Sequence, residues 1–324
     1  MRGFSFREQI RDLWMLGLAP ACLARLPWPL AYAGCRFLAR FAHMFREPTE
    51  AAAAIAPNYL PIVDIKAFKR DVRTVWLLDA VDLYLSRRRR TDWLPRHVEV
   101  RGAWPRSGAF VALSFHYGHG LWVSRDLRRN GRDSVLVSAR FERSAFKRLP
   151  VRYRYGVARM GEVERISGEP NAYRPGVRDK LLDALRRGVA VLGVFDMPPR
   201  LAPRGQWPVH FLGKPTSLPD GMLALAIDAG VPIVPCWVEV DLVRGRRILV
   251  IGEAIAHEPV AQTLAQLADT LNRLIRAQPA AWLFWNELPT WIHDAQSLHD
   301  AQASSNPAEE DRVSAADPTA NSES

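Results

Sequence analysis

The 324-residue chain has only three cysteines, Cys22, Cys35 and Cys236. They are too few and too scattered for a disulfide framework or a zinc site, and they point to a reducing compartment. Long apolar runs are also missing. The most hydrophobic N-terminal stretch is broken by Pro20, Pro27 and Pro29 and by Arg25, Arg36 and Arg40, before roughly 18 uninterrupted apolar residues accumulate. There is no Gly-x-Gly-x-x-Gly, no phosphate loop ending in Gly-Lys-Ser/Thr and no Gly-x-Ser-x-Gly elbow. Those absences argue against a dinucleotide enzyme, a nucleotide hydrolase and a serine hydrolase. With no zinc-finger or RNA-recognition pattern either, a nucleic-acid partner is not expected.

What the chain does have is positive charge, +10 formally, although residues 297–324 set Asp300, Glu309, Glu310, Asp311, Asp317 and Glu323 against Arg312 alone. The body is therefore more basic than the average, and it attracts phosphates on nucleic acid or anionic lipid, or an acidic carrier protein. Residues 297–324 lack periodicity and are expected to be a disordered acidic tail. Residues 1–60 are expected to form a helical segment in a membrane interface, because Trp14, Trp28 and the arginines are residue types that settle at headgroup depth. The competing reading is a buried helical hairpin.

Residues 61–296 are expected to be the main domain. Apolar residues at Phe68, Val72, Val75, Leu78, Val81 and Leu85 recur at helical spacing. Short β-branched or aromatic runs follow, at 98–101, 110–115, 134–138, 162–166, 189–195, 233–240 and 247–251. Helical patterns separate them, at 117–129, 143–159, 175–187, 219–229 and 261–278. The alternation predicts an α/β fold, a mostly parallel or mixed central sheet flanked by helices. Active sites in such sheets collect at the carboxyl ends of the strands.

One histidine sits at such an end. His116 follows the run 110–115 and precedes a glycine turn, a placement suited to a general base. His119, three residues further on, is a second candidate base and otherwise reads as a helix-surface or acceptor-binding group. The apolar run 189–195 delivers Asp196 at its own carboxyl end, before Pro198 and Pro199.

Downstream, Phe211, Gly213-Lys-Pro215, Thr216-Ser217, Pro219-Asp-Gly221 opening an apolar helix, Gly230-Val-Pro-Ile-Val-Pro235 and Pro279-Ala-Ala-Trp-Leu-Phe-Trp285 stand in a characteristic order. This order resembles the lauroyl/myristoyl acyltransferases of lipid A biosynthesis, within the glycerolipid acyltransferase superfamily, over roughly residues 68–285. The resemblance implies a glycerolipid acyltransferase-like fold at the cytoplasmic face of a bacterial inner membrane, peripheral or monotopic. It implies acyl transfer from an acyl carrier protein or coenzyme A thioester to a hydroxyl or amine of a lipid or pigment acceptor, with no cofactor and no metal.

His116 falls on the histidine of the family's His-x-x-x-x-Asp/Glu motif, but Leu121 occupies the acid's position, and Ser124 stands five residues after His119. Three readings follow: Asp196 orients His116 from a neighbouring strand, a water or backbone carbonyl does so, or catalysis is lost and lipid or acyl-chain binding remains. By the same resemblance Arg140 and Arg165 are the basic groups expected to hold phosphates. Gly213 is expected to allow close backbone approach, and Lys214 and Ser217 to lie near the site, with the following helix start supplying backbone donors.

Overall fold

The N-terminal pattern folds as α1 (Phe6–Leu13) and α2 (Ala19–Leu23), joined without a break by a π-helical turn at Trp14–Leu18. The cause is Pro20, which has no N–H to donate to the carbonyl four residues back. That carbonyl, on Leu16, accepts the Tyr84 hydroxyl instead at 2.7 Å. Helices α3 (Trp28–Leu38), α4 (Arg46–Ile55) and the long α5 (Ile65–Arg88) complete this layer. A computed structural model of the chain describes residues 6–88, 97–118, 120–256 and 259–295. His119 and the expected acidic tail lie outside the described residues.

The remaining elements alternate: β1 (Val98–Arg101), β2 (Val111–Ser114), α6 (Leu121–Arg129), β3 (Ser134–Ala139), α7 (Pro150–Ser167), β4 (Ala172–Arg174), α8 (Arg178–Arg186) and β5 (Ala190–Val194). A hairpin of β6 (Gln206–Phe211) and β7 (Lys214–Pro219) follows, then α9 (Gly221–Ala229), β8 (Ile233–Asp241), β9 (Arg246–Ile251) and α10 (Val260–Ala277). The main sheet has seven strands in the order β1-β9-β8-β2-β5-β3-β4, and only the β8–β9 pairing is antiparallel. The fold is thus α/β with a mostly parallel mixed sheet between helices.

Strand β2 is buried throughout, and its side chains divide by the two-residue period of a strand. Val111 and Leu113 face the core filled by α8, α9 and α10, while Phe110 and Ala112 face the one filled by α3, α5 and α6. Met15, Trp28, Ala31, Cys35 and Phe45 of the N-terminal helices share that second core with the sheet. Among the described residues no helix is long and apolar enough to cross a membrane.

Two expectations need correction. Residues 162–166 are not a strand but the last turns of α7, which begins at Pro150 rather than at 143. Their apolar pair Val163 and Ile166 is spaced three apart and packs with Leu121 on one helix face. Second, the hairpin at 206–219 and the short β4 went unread. Hairpin alternation is visible in retrospect, with Val209 and Phe211 buried and His210 exposed.

The N-terminal layer is clasped to the sheet by a buried ion pair. Arg247 on β9 and Asp82 on α5 are both fully buried and paired side on, Nε to Oδ2 at 3.3 Å with Nη2 closing on Oδ1. The guanidinium lies 4.1 Å from the Trp28 ring centroid, and Trp122 Nε1 donates to Asp82 at 2.6 Å. Removing one member of such a pair strands the other charge, at a cost of about 3–5 kcal/mol. Arg247→Met is therefore expected to lower the unfolding free energy by that order in urea titrations, and a change near zero would show that the clasp carries no stability.

Candidate active site

Strands β2 and β5 are parallel neighbours with Ser114 opposite Val194. Two residues beyond that register on each strand stand His116 and Asp196. Their meeting is direct: His116 Nδ1 lies 2.9 Å from Asp196 Oδ1, and the His116 backbone N–H reaches both carboxylate oxygens at 2.9 and 3.0 Å. Trp282 Nε1 donates to Oδ2 at 3.1 Å. Asp196 has no exposure to solvent, so these N–H groups replace the water it has lost.

An ionised carboxylate only accepts, so in the neutral ring Nδ1 carries the proton and Nε2 keeps its lone pair. Among the described residues nothing hydrogen-bonds Nε2, and the His116 side chain is 26% exposed. The imidazole lies flat on Phe284, with ring centroids 3.6 Å apart and planes 13° from parallel. The pair is therefore disposed to take a proton at Nε2 and hold the resulting imidazolium against a buried anion.

The turn after His116 is tightly built. Gly118 adopts φ +65, and a Cβ there would stand 1.7 Å from the Val238 carbonyl oxygen, so only glycine fits. Its N–H donates to the Ala281 carbonyl at 2.9 Å, and the Leu283 N–H to the His116 carbonyl at 2.8 Å. Tyr117 is buried and donates its hydroxyl to the Leu274 carbonyl at 3.2 Å; burial raises its pKa well above the usual phenol value, which makes it a structural donor. Burial also pushes the Cys236 thiol up to about 12. It is thus no source of thiolate at neutral pH.

Leu121, where the resemblance expects an acid, is 2% exposed and sits in a small cluster with Val163 and Ile166. The carboxylate that meets His116 comes from the neighbouring strand. Of the other expected residues, Arg140 is at the carboxyl end of β3, which pairs with β5. It is exposed, its guanidinium stands 5.2 Å from the Tyr173 ring centroid, and its backbone lies two strand spacings from β2, roughly 10 Å.

Arg165 is not brought to this edge. It is on α7 near Gly168, which bridges Ser134 at the amino end of β3, so it lies toward the opposite edge of the sheet. There its guanidinium bonds the buried Glu162 at 2.7 and 2.8 Å.

Gly213 lies in a hairpin turn. Leu212 and Gly213 (φ 49 and 78) form the two-residue turn of the hairpin, and a Cβ at Gly213 meets nothing within 4 Å. Asn272 on α10 pins this turn by accepting the Leu212 N–H at 2.8 Å, and Lys214 is exposed on the hairpin opposite Phe211. Ser217 is engaged within the hairpin: its hydroxyl bonds Gln206 at 2.8 Å and its carbonyl accepts Trp291 Nε1 at 2.8 Å. The groups that reading the sequence missed are Trp282 and Phe284. Their aromatic segment stood out in the sequence, but nothing there ties it to Asp196.

Among the described residues no group of three His, Cys, Asp or Glu side chains is disposed to hold a metal ion. Protein-family models show no match to this chain, and neither do curated proteins.

Placing an acid at position 121 would bury a carboxylate in the apolar contact with Val163, Ile166 and Leu136. Leu121→Asp is expected to destabilise the fold by about 3 kcal/mol or more, measured by chemical denaturation. A neutral outcome would mean that position 121 has access to water or to a basic partner.

Proposed function

We propose that the protein is an acyltransferase in which His116 is the general base and Asp196 its orienting acid. The observation that carries this reading is the 2.9 Å contact between His116 Nδ1 and the buried Asp196, with Nε2 left to face a substrate. An acceptor hydroxyl gives its proton to Nε2 while its oxygen attacks the carbonyl carbon of an acyl thioester. The tetrahedral intermediate then collapses, the C–S bond breaks, and the leaving thiolate takes the proton back from the imidazolium. The acceptor is an amphiphilic lipid or pigment, and the donor an acyl carrier protein or acyl-coenzyme A. With an acid in place, the lipid-binding alternative loses the missing carboxylate that motivated it.

The choice of an amphiphile rests on the N-terminal helices. Phe6, Ile10, Leu13, Trp14 and Leu18 are 71, 52, 49, 42 and 53% exposed and recur at helical spacing along one face. Arg7 and Arg25 are exposed near this stripe. Its position supports the same reading. Helix α7 runs back from beyond the carboxyl end of β3 to Gly168 at the amino end, and α1 is tied to the start of α7. Gln9 Nε2 donates to the Arg148 carbonyl at 2.9 Å, and Arg152 Nε to Asp12 at 2.8 Å. The apolar face therefore stands on the sheet edge that carries His116. It lies in the headgroup layer of the inner membrane, cytoplasmic side, with Arg140 available to a phosphate of either substrate.

His116→Ala is expected to abolish acyl transfer from labelled thioester to a lipid extract, and Asp196→Asn to lower kcat by about 10³–10⁴-fold. Full activity in His116→Ala would remove the histidine from the mechanism. For the membrane face, Leu13→Glu with Trp14→Glu is expected to cut binding to phosphatidylglycerol vesicles at least about tenfold in flotation assays without unfolding the protein. Undiminished flotation would place the contact elsewhere.

A further inference from the structure

The structure assigns to Trp282 a role as positioning residue: it holds the second oxygen of Asp196, so that the first is presented to His116 Nδ1 and the imidazole stays in its Nδ1–H tautomer. This rests on the reading of His116 as general base. Rotation of a carboxylate about its last side-chain bond is soft and roughly two-fold. The His116 backbone N–H, almost equidistant from both oxygens at 2.9 and 3.0 Å, does little to set it. What does set it is the pair of donors at opposite oxygens, Nδ1 on Oδ1 and the indole N–H on Oδ2 at 3.1 Å. Asp196 is wholly buried, so no bulk water is there to replace the indole.

The indole itself is immobilised. It is 1% exposed and edge-on to Phe211 and Trp285, with ring centroids 5.4 and 5.0 Å away. Its backbone is in register with the dyad, because Gly118 N–H bonds the Ala281 carbonyl and Leu283 N–H bonds the His116 carbonyl. The bridge between Tyr117 and Trp282 sets this register. Trp282 accordingly reaches Asp196 while Phe284 reaches the imidazole, stacked at 3.6 Å. One strap, more than 160 residues after His116 in the chain, aligns both members of the pair.

The test uses the full chain in detergent with two changes: Trp282→Phe, and Trp282 replaced by benzothienylalanine, which keeps the bicyclic ring and exchanges the N–H for sulfur. The ¹⁵N shifts of the His116 ring, read where it is neutral, are expected to show Nδ1–H in the native protein and a mixture with Nε2–H in both variants. Acyl transfer should lose about tenfold in kcat with KM within twofold, the order seen when an outer hydrogen bond to a working histidine is removed. The isostere loses only the hydrogen bond to the buried carboxylate whereas Trp282→Phe also loses packing, so a tautomer mixture common to both belongs to the missing N–H and not to the ring. An unchanged tautomer in the isostere overturns the assignment. If His116→Ala stays active, it is the general-base reading that fails; if His116→Ala is dead and the tautomer is unmoved, only the role of Trp282 falls.

Discussion

A carboxylate deprived of water must receive its hydrogen bonds from the protein or it will not stay charged. Asp196 is that carboxylate, and much of the local architecture serves it. The β2–β5 register brings the His116 backbone and ring to it, and the segment after α10 folds back across the sheet edge to add Trp282. Phe115 and Phe195, edge-on at 4.8 Å, pack the residues just before each member of the pair. A misplaced strand at any of these points would leave a buried anion short of a donor.

The same constraint governs where a carboxylate can meet His116. A histidine at the end of a parallel strand has two sources of carboxylate within reach: the helix that follows it, and the end of the neighbouring strand. Here the helix position belongs to Leu121, committed to the contact between α6 and α7. The neighbouring strand supplies Asp196 at the matching register. That carboxylate sits on Nδ1 and leaves Nε2 outward.

How far the sequence predicted this depends on how local each signal was. Apolar runs and helical periodicity placed most of the strands and helices of the sheet, and strand-end logic placed His116 and Asp196 together. Arg165 failed because β-branched residues at 162–166 look like a strand, while in the folded chain their three-residue spacing packs one face of a helix. The surroundings of Lys214 and Ser217 were not legible because the glycine turn at 212–213 is a hairpin turn, so the residues after it run along a strand paired with 206–211. Trp282 was illegible for a different reason. A tryptophan in an aromatic cluster reads as core, and only the long-range return of the chain shows that its one polar atom is spent on Asp196.

The N-terminal helices obey the same logic on a larger scale. They expose an apolar stripe, yet their inner faces are continuous with the core under the sheet, and the Arg247–Asp82 pair with Trp28 and Trp122 locks them to β9, α5 and α6. A stripe attached by a flexible linker would tether the protein to a surface and leave the orientation of the sheet free. A stripe that shares the core cannot turn independently of the sheet. Burying the clasp therefore does more than add stability: it fixes the exposed stripe in one orientation relative to the sheet and its His116–Asp196 pair.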